Sequence, residues 1–462
     1  MTGVRYRELR LPSAEDPLSL MARLARSGLF EQYVVYENGP EWSFAGGVLT
    51  DLRLDADTCR TAGPAAVENW LAELPVRGWR VYGWAAFEWG AVSAGAGGVA
   101  VPGDAADAGV LVHLAVPVGE VRADGEGVLV RAVDEQQLAL LARLVRAAPG
   151  IPAREPTERV EVRLDDTDGY REAVVAALTT LDGTGPLEKV ILSRQVPVPV
   201  PLDLVATYVA GRRANTPARS FLVRLGQAHA AGFSPETVAE VTADRLVVSR
   251  PLAGTRARTG EPAEDARLRA ELLGDPKEIH EHAISVKLAL EDLAAVCEET
   301  WVAEYLTVQE RGTVQHLAST VMGRLRPDRT PWQAFAALFP AVTATGIPKA
   351  PAYPLIRRLE GRPRGLYAGA VLTYDTDGTL DAALVLRTVF QRDGHGLLQA
   401  GAGIVRQSRP DREHEETCEK LRSVAAHLVP LVSPAPRTAA PPAPGPAKIP
   451  AQEEGASDTV AP

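Results

Sequence analysis

No segment limits the topology more than residues 365–405, which read GLYAGAVLTYDTDGTLDAALVLRTVFQRDGHGLLQAGAGIV. Asp377-Gly378 and Asp393-Gly394 are turn signals set between β-rich runs, which predicts an antiparallel meander. Further strand-like runs lie upstream: EKVILSRQVPVPV (188–200), SFLVRL, HAAGFS and TVAEVTADRLVVS. Strands here follow strands, with helical patterns set between the groups. That order predicts an α+β fold, a large single-domain sandwich of antiparallel sheets with flanking helices, rather than a parallel βαβ array.

The chain divides by composition. Residues 433–462 draw sixteen of their thirty positions from Pro and Ala. Such a segment buries too little apolar surface to offset its ordering entropy, so it reads as a disordered tail. Residues 1–158 hold five of the seven tryptophans, a helical pattern at 135–148, a small-residue loop around 90–109 and a connector at 150–158. This part reads as scaffold, and residues 159–432 as the catalytic core. The formal net charge of −10 and the lack of any basic block exclude a general nucleic-acid binder. No run approaches the ~18 apolar residues of a membrane span. Three scattered cysteines and no apolar leader predict a cytoplasmic protein.

Two predicted helices carry the same acidic spacing. In DPKEIHEHAISVKLALEDLAAVC, Asp275 is the expected cap, Pro276 suits the first turn, and Glu278 and Glu281 are neighbours on one face. Ile279, Ala283, Val286, Leu290 and Leu293 form the expected apolar stripe. In SRPDREHEETCEKLRSVAAHLV, Ser408 is the expected cap, Glu413 and Glu416 repeat the spacing, and Lys420 follows on the same face. One such pair also suits a solvated helix face. Brought together, the two pairs need a cation, and oxygen ligands suit Mg²⁺. His280, His282 and His414 belong on other faces.

Other residues invite chemistry singly. Lys189 opens an apolar strand, and a buried lysine readily becomes a base. Glu236 follows Ser234-Pro235 in a strand-to-strand turn, and burial would make it a proton donor. Gly254-Thr255-Arg256 and Gly401-Ala402-Gly403 read as glycine-bearing turns able to present amides to an anion. Tyr367 and Arg387 fall on neighbouring predicted strands, where a buried Arg needs an anion. His316 lies in a β-rich segment.

The segments LEKVILSRQV, GFSPETV, PLAGTR, DPKEIHEHAISV, VQHLAST, LFPAVTATGIPK, RGLYAGAV, LDAALVLR, LQAGAGIV and REHEETCEKL, in this order over residues 185–428, resemble the chorismate-utilising enzymes, and among them the salicylate synthases. Two positions depart from that pattern: Thr345 replaces Ser, and Arg250 precedes Pro251 where an acidic or neutral residue is usual. The resemblance implies Mg²⁺ held by Glu281 and Glu416 with Glu278 and Glu413 behind, taking the ring carboxylate of chorismate with Gly254, Thr255 and Lys420. It implies Tyr367, Arg387 and the amides near Gly401 and Gly403 on the pyruvyl carboxylate. Lys189 would activate water, Glu236 would protonate the leaving hydroxyl, and His316 and Thr343 would line the ring pocket. It further implies a monomer without a glutamine amidotransferase subunit, and a product that commonly feeds siderophores. Release of isochorismate as the end product, or a silent chorismate-binding homologue, are the alternatives.

Overall fold

Alternation along single strands sorts this chain into layers. In the strand Tyr33–Asn38, Val34 and Tyr36 join one buried cluster while Tyr33 and Val35 join another. Arg219–Leu225 does the same, with Phe221 and Val223 on one side and Leu222 on the other. Successive side chains point to opposite faces of a strand, so each strand is buried on both sides. One face meets a second sheet and the other meets helices.

The computed structural model describes residues 4–12, 16–93, 109–147, 160–165, 169–312 and 314–431. Among these, an eleven-stranded sheet runs from Gly346–Ile347 through Lys189–Val198, His395–Val405, Thr388–Arg392, Ala228–Ser234, Arg219–Leu225 and Tyr33–Asn38 to Arg7–Leu11. A ten-stranded sheet runs from Leu252–Ala257 through Val314–Leu325, Thr237–Val241, Leu380–Leu384 and Ala370–Asp375 to Thr50–Asp55, with Cys297–Arg311 against Val314–Leu325. Pairing in both sheets is antiparallel, as expected of the α+β sandwich. Strands from residues before and after 158 interleave in each sheet.

The helix Glu135–Arg146 forms where its pattern places it, capped by Asp134. The start of the expected loop at 90–109 is instead a helix, Phe87–Ser93. Trp89 anchors it among Trp332, Phe335 and Phe339, and aromatic burial of this kind outweighs weak local propensity. Residues 94–108, the connector 150–158 and the tail 433–462 lie outside the described residues. No helix among the described residues is long and apolar enough to cross a membrane.

The expected meander splits in two. Ala370–Asp375 and Leu380–Leu384 form a hairpin in the ten-stranded sheet, while Thr388–Arg392 and His395–Val405 form a hairpin in the eleven-stranded one. The chain passes between sheets at 385–387, with Arg387 at φ +50°. A second passage occurs at Pro235-Glu236, between Ala228–Ser234 and Thr237–Val241. The two crossings are tied together: Phe233 N donates to Arg387 O (3.1 Å), Leu384 N to Glu236 O (3.1 Å), and Ser234 Oγ to Leu384 O (2.5 Å).

Candidate active site

A cavity of about 130 Å³ opens beside these crossings. The crossings themselves deliver Glu236 and Arg387 to it. The strand Lys189–Val198 contributes Lys189 and Ile191, two residues apart and so on one face. The antiparallel partner His395–Val405 contributes Gly401 and Gly403. The two acidic helices supply Glu281 and Glu416. Gly254, Thr255, His316, Thr343, Tyr367 and Lys420 complete the expected lining. Glu278 and Glu413 stand off the cavity wall.

Several local readings change. Gly254-Thr255-Arg256 and Gly401-Ala402-Gly403 are strand segments, not turns. Gly254 sits at φ +84° beside an irregularity in strand register, a conformation that favours glycine. A Cβ at Gly403 would lie 2.7 Å from Lys189 Cε, so glycine there makes room for the lysine stem. Tyr367 and Arg387 sit beyond strand ends rather than on neighbouring strands. The helix Pro276–Ala294 is capped by Asp275, which accepts from Lys277 N at 2.9 Å. Its buried face is His282, Ser285, Val286, Ala289 and Leu293, rotated from the expected stripe. The rotation follows from burial of His282, whose Nε2 meets Ser319 Oγ at 2.7 Å. The helix Pro410–Ala425 has Arg409, not Ser408, at its N-cap. Ser408 Oγ instead accepts from Val405 N at 3.1 Å and bonds the Glu413 side chain.

The electrostatics separate three kinds of group. Glu281 is ion-paired with buried Lys189, and Glu416 lies 2.8 Å from Lys420 Nζ. Burial alone would raise both carboxyls, but these lysines hold them below the ordinary range. Glu236 has no ion-pair partner among the described residues. Burial pushes it up to about 8 despite a 2.9 Å hydrogen bond from Thr343 Oγ1. His316, buried and surrounded by cations, is lowered to about 3 and stays neutral. Its Nδ1 meets Thr255 Oγ1 at 3.0 Å. Arg387 is half-buried and bonds Ser423 Oγ at 3.1 Å, with no carboxylate paired to it among the described residues. A guanidinium partly withdrawn from water beside a cavity attracts an anion, which makes this corner a receptor for one.

Glu278 and Glu413 are raised by burial, and the neighbouring carboxylates Glu281 and Glu416 push the same way. Glu278 also lies 3.2 Å from Arg256 Nη1. Among the described residues no three His, Cys, Asp or Glu side chains converge into a ready-made metal cage. Two facing carboxylates with two more behind them fit a hard divalent ion completed by waters and ligand oxygens.

Sequence reasoning missed the apolar wall of Ile191, Leu252 and Leu386. For Ile191, alternation from Lys189 was the available signal. The two departures from the family pattern lie off the cavity. Thr345 Oγ1 donates to Ala341 O at 3.0 Å, and Arg250 pairs with Glu240.

The model of the chorismate binding enzyme family matches residues 34–426. A salicylate synthase from Mycolicibacterium paratuberculosis is 41% identical over 92% of this chain and 97% of its own. Anthranilate synthase component 1 from Methanothermobacter thermautotrophicus is 39% identical over 52% of each chain. In three dimensions, the menaquinone-specific isochorismate synthase from Escherichia coli superposes with a TM-score of 0.70, covering 92% of this chain and 95% of that one at 22% identity. Matched over most of its length by both the family model and a full-length relative, the chain belongs to the chorismate-binding enzymes.

Proposed function

We propose that this protein converts chorismate to salicylate and pyruvate by way of isochorismate, with Mg²⁺ as cofactor. The observation that carries the reading is one cavity lined by Lys189, by Glu236, whose carboxyl burial pushes up to about 8, and by Arg387, which has no paired carboxylate among the described residues. Mere binding of a dianion needs the arginine but not the acid–base pair. The extended match to a salicylate synthase supports this product over the isochorismate end point.

Arg387 and Tyr367, with the amides near Gly401 and Gly403, hold the pyruvyl carboxylate. Gly254, Thr255 and Lys420 assist at the ring carboxylate. Glu281 and Glu416 would hold Mg²⁺, with Glu278 and Glu413 behind them. That ion supplies positive charge for the ring carboxylate. Lys189, released from Glu281 and left as the uncharged amine once its extra proton has passed to solvent, takes a proton from water as the water oxygen bonds to C2. Glu236 gives its proton to the C4 hydroxyl, which departs as water. Isochorismate then passes its C2 hydrogen to the pyruvyl methylene as the C3–O bond breaks, yielding pyruvate and salicylate. For this step the site need only fix the side chain over the ring, where His316 and Thr343 line the pocket.

Water is the nucleophile, so no amidotransferase subunit is required, and we take the enzyme to act as a cytoplasmic monomer. Incubating the purified protein with chorismate and Mg²⁺ and separating the products tests the reading. Salicylate and pyruvate in equal amounts are expected. Isochorismate accumulating alone would replace the proposed end product, and unchanged chorismate would remove the enzyme reading.

A further inference from the structure

Arg364 takes no part in the chemistry above, yet it joins two of the segments that carry it. It is buried, in the turn after the helix Lys349–Glu360. Its Nη1 donates to Ala344 O at 2.8 Å and its Nη2 to Ile191 O at 2.7 Å. Glu360 takes the rest of the fork, from Nη2 at 2.6 Å and Nε at 3.0 Å. The guanidinium packs 4.4 Å over the Phe87 ring. Its own backbone is clamped, since Arg364 N and Gly365 N donate to Glu88 at 2.7 and 3.1 Å.

The two carbonyls matter for what adjoins them. Ile191 is two residues from Lys189 and shares its strand face. Ala344 follows Thr343, whose hydroxyl holds Glu236. The two segments are otherwise joined nearby by Ile191 N to Thr345 O, 2.9 Å, and by the short pairing of Lys189–Val190 with Gly346–Ile347. We propose that Arg364 is a positioning residue that registers the Lys189 strand against the Thr343–Glu236 segment, so that hydration of the ring depends on its planar fork while pyruvate loss does not. A lysine keeps the charge but cannot bridge two carbonyls and a carboxylate in one plane.

The inference rests on the proposed reaction, and the test separates the two. Purified full-length protein with Mg²⁺ is given chorismate or isochorismate in separate assays. For Arg364→Lys, kcat from chorismate is expected to fall about 100-fold, the scale of a small misplacement of reacting groups. KM for chorismate should stay within about threefold, and salicylate formation from isochorismate within about threefold, because neither needs the acid–base pair in register. Equal losses in both assays, or no loss in either, overturn the proposal. If Arg364→Lys is insoluble, Glu360→Gln, which loosens the same fork, should show the same split at about tenfold, and equal or absent losses there overturn it too. Wild-type protein that makes isochorismate but no salicylate overturns the proposed end product instead. In that case the kcat loss and steady KM for isochorismate formation still decide the role of Arg364.

Discussion

The helices Pro276–Ala294 and Pro410–Ala425 carry the same acidic spacing and reach the same cavity, but they are held differently. Glu281 is paired with Lys189, a buried residue on a strand 92 positions away. Glu416 is paired with Lys420, one turn along its own helix, where both side chains are about a third exposed. The first helix has a side-chain cap in Asp275, and the second has none. A repeated motif thus joins one site through a tertiary contact and through a local one. The tertiary contact couples the carboxylate to the proposed base, while the local one leaves it independent.

Glu281→Gln should break the comparison most sharply. It removes a candidate metal ligand and leaves the Lys189 side chain, only 6% exposed, without its carboxylate partner. Activity should fall by about 1,000-fold or more, and stability by about 3 kcal/mol, read from denaturant unfolding. Glu416→Gln should cost about 100-fold in Mg²⁺-dependent activity but only about 0.5 kcal/mol, since Lys420 keeps its 2.8 Å bond to Gly401 O. Equal destabilisation by the two substitutions would erase the distinction.

Glu236 sharpens the contrast from the other side, as a carboxyl with no lysine paired to it among the described residues. Because it must donate a proton, kcat/KM for chorismate should fall roughly tenfold per pH unit above about 8. Its folded value lies above its unfolded one, so the native state binds the extra proton. The associated stability is therefore present at low pH and is lost as pH rises from about 4.5 through about 8. Glu236→Gln should be inactive yet gain thermal stability over the wild type as pH rises through that window. A constant difference in Tm would count against the buried acid. The smallest effects concern the helix starts: Asp275→Ala, which removes a cap, should cost about 1 kcal/mol, and Ser408→Ala, which removes none, less than about 0.5 kcal/mol, as measured by urea unfolding.

Much of this was legible in linear order. Asp-Gly pairs marked both hairpins, and Asp275-Pro276 marked the start of an acidic helix. The apolar stripe of that helix was misread because His282 and Ser285 are buried through hydrogen bonding, which hydrophobic periodicity does not register. Glycine was misread as turn at Gly401 and Gly403 because its value there is lack of a side chain against the neighbouring strand, at Gly401 against Leu192 O and at Gly403 against Lys189, a cross-strand fact. The Arg364 fork was invisible: its carbonyl partners lie 173 and 20 residues away and carry no side-chain signature.

Residue spacing alone determined that two helices would each present paired carboxylates and that antiparallel hairpins would dominate. These are local properties, set by the 3.6- and 2-residue periods of the backbone. Tertiary structure alone decided that the chain changes sheets at Pro235-Glu236 and at 385–387. Those crossings put a buried acid and a guanidinium with no carboxylate partner among the described residues at one cavity, and burial by distant segments raised the acid. Desolvation depends on everything packed around a group, and no stretch of sequence contains that.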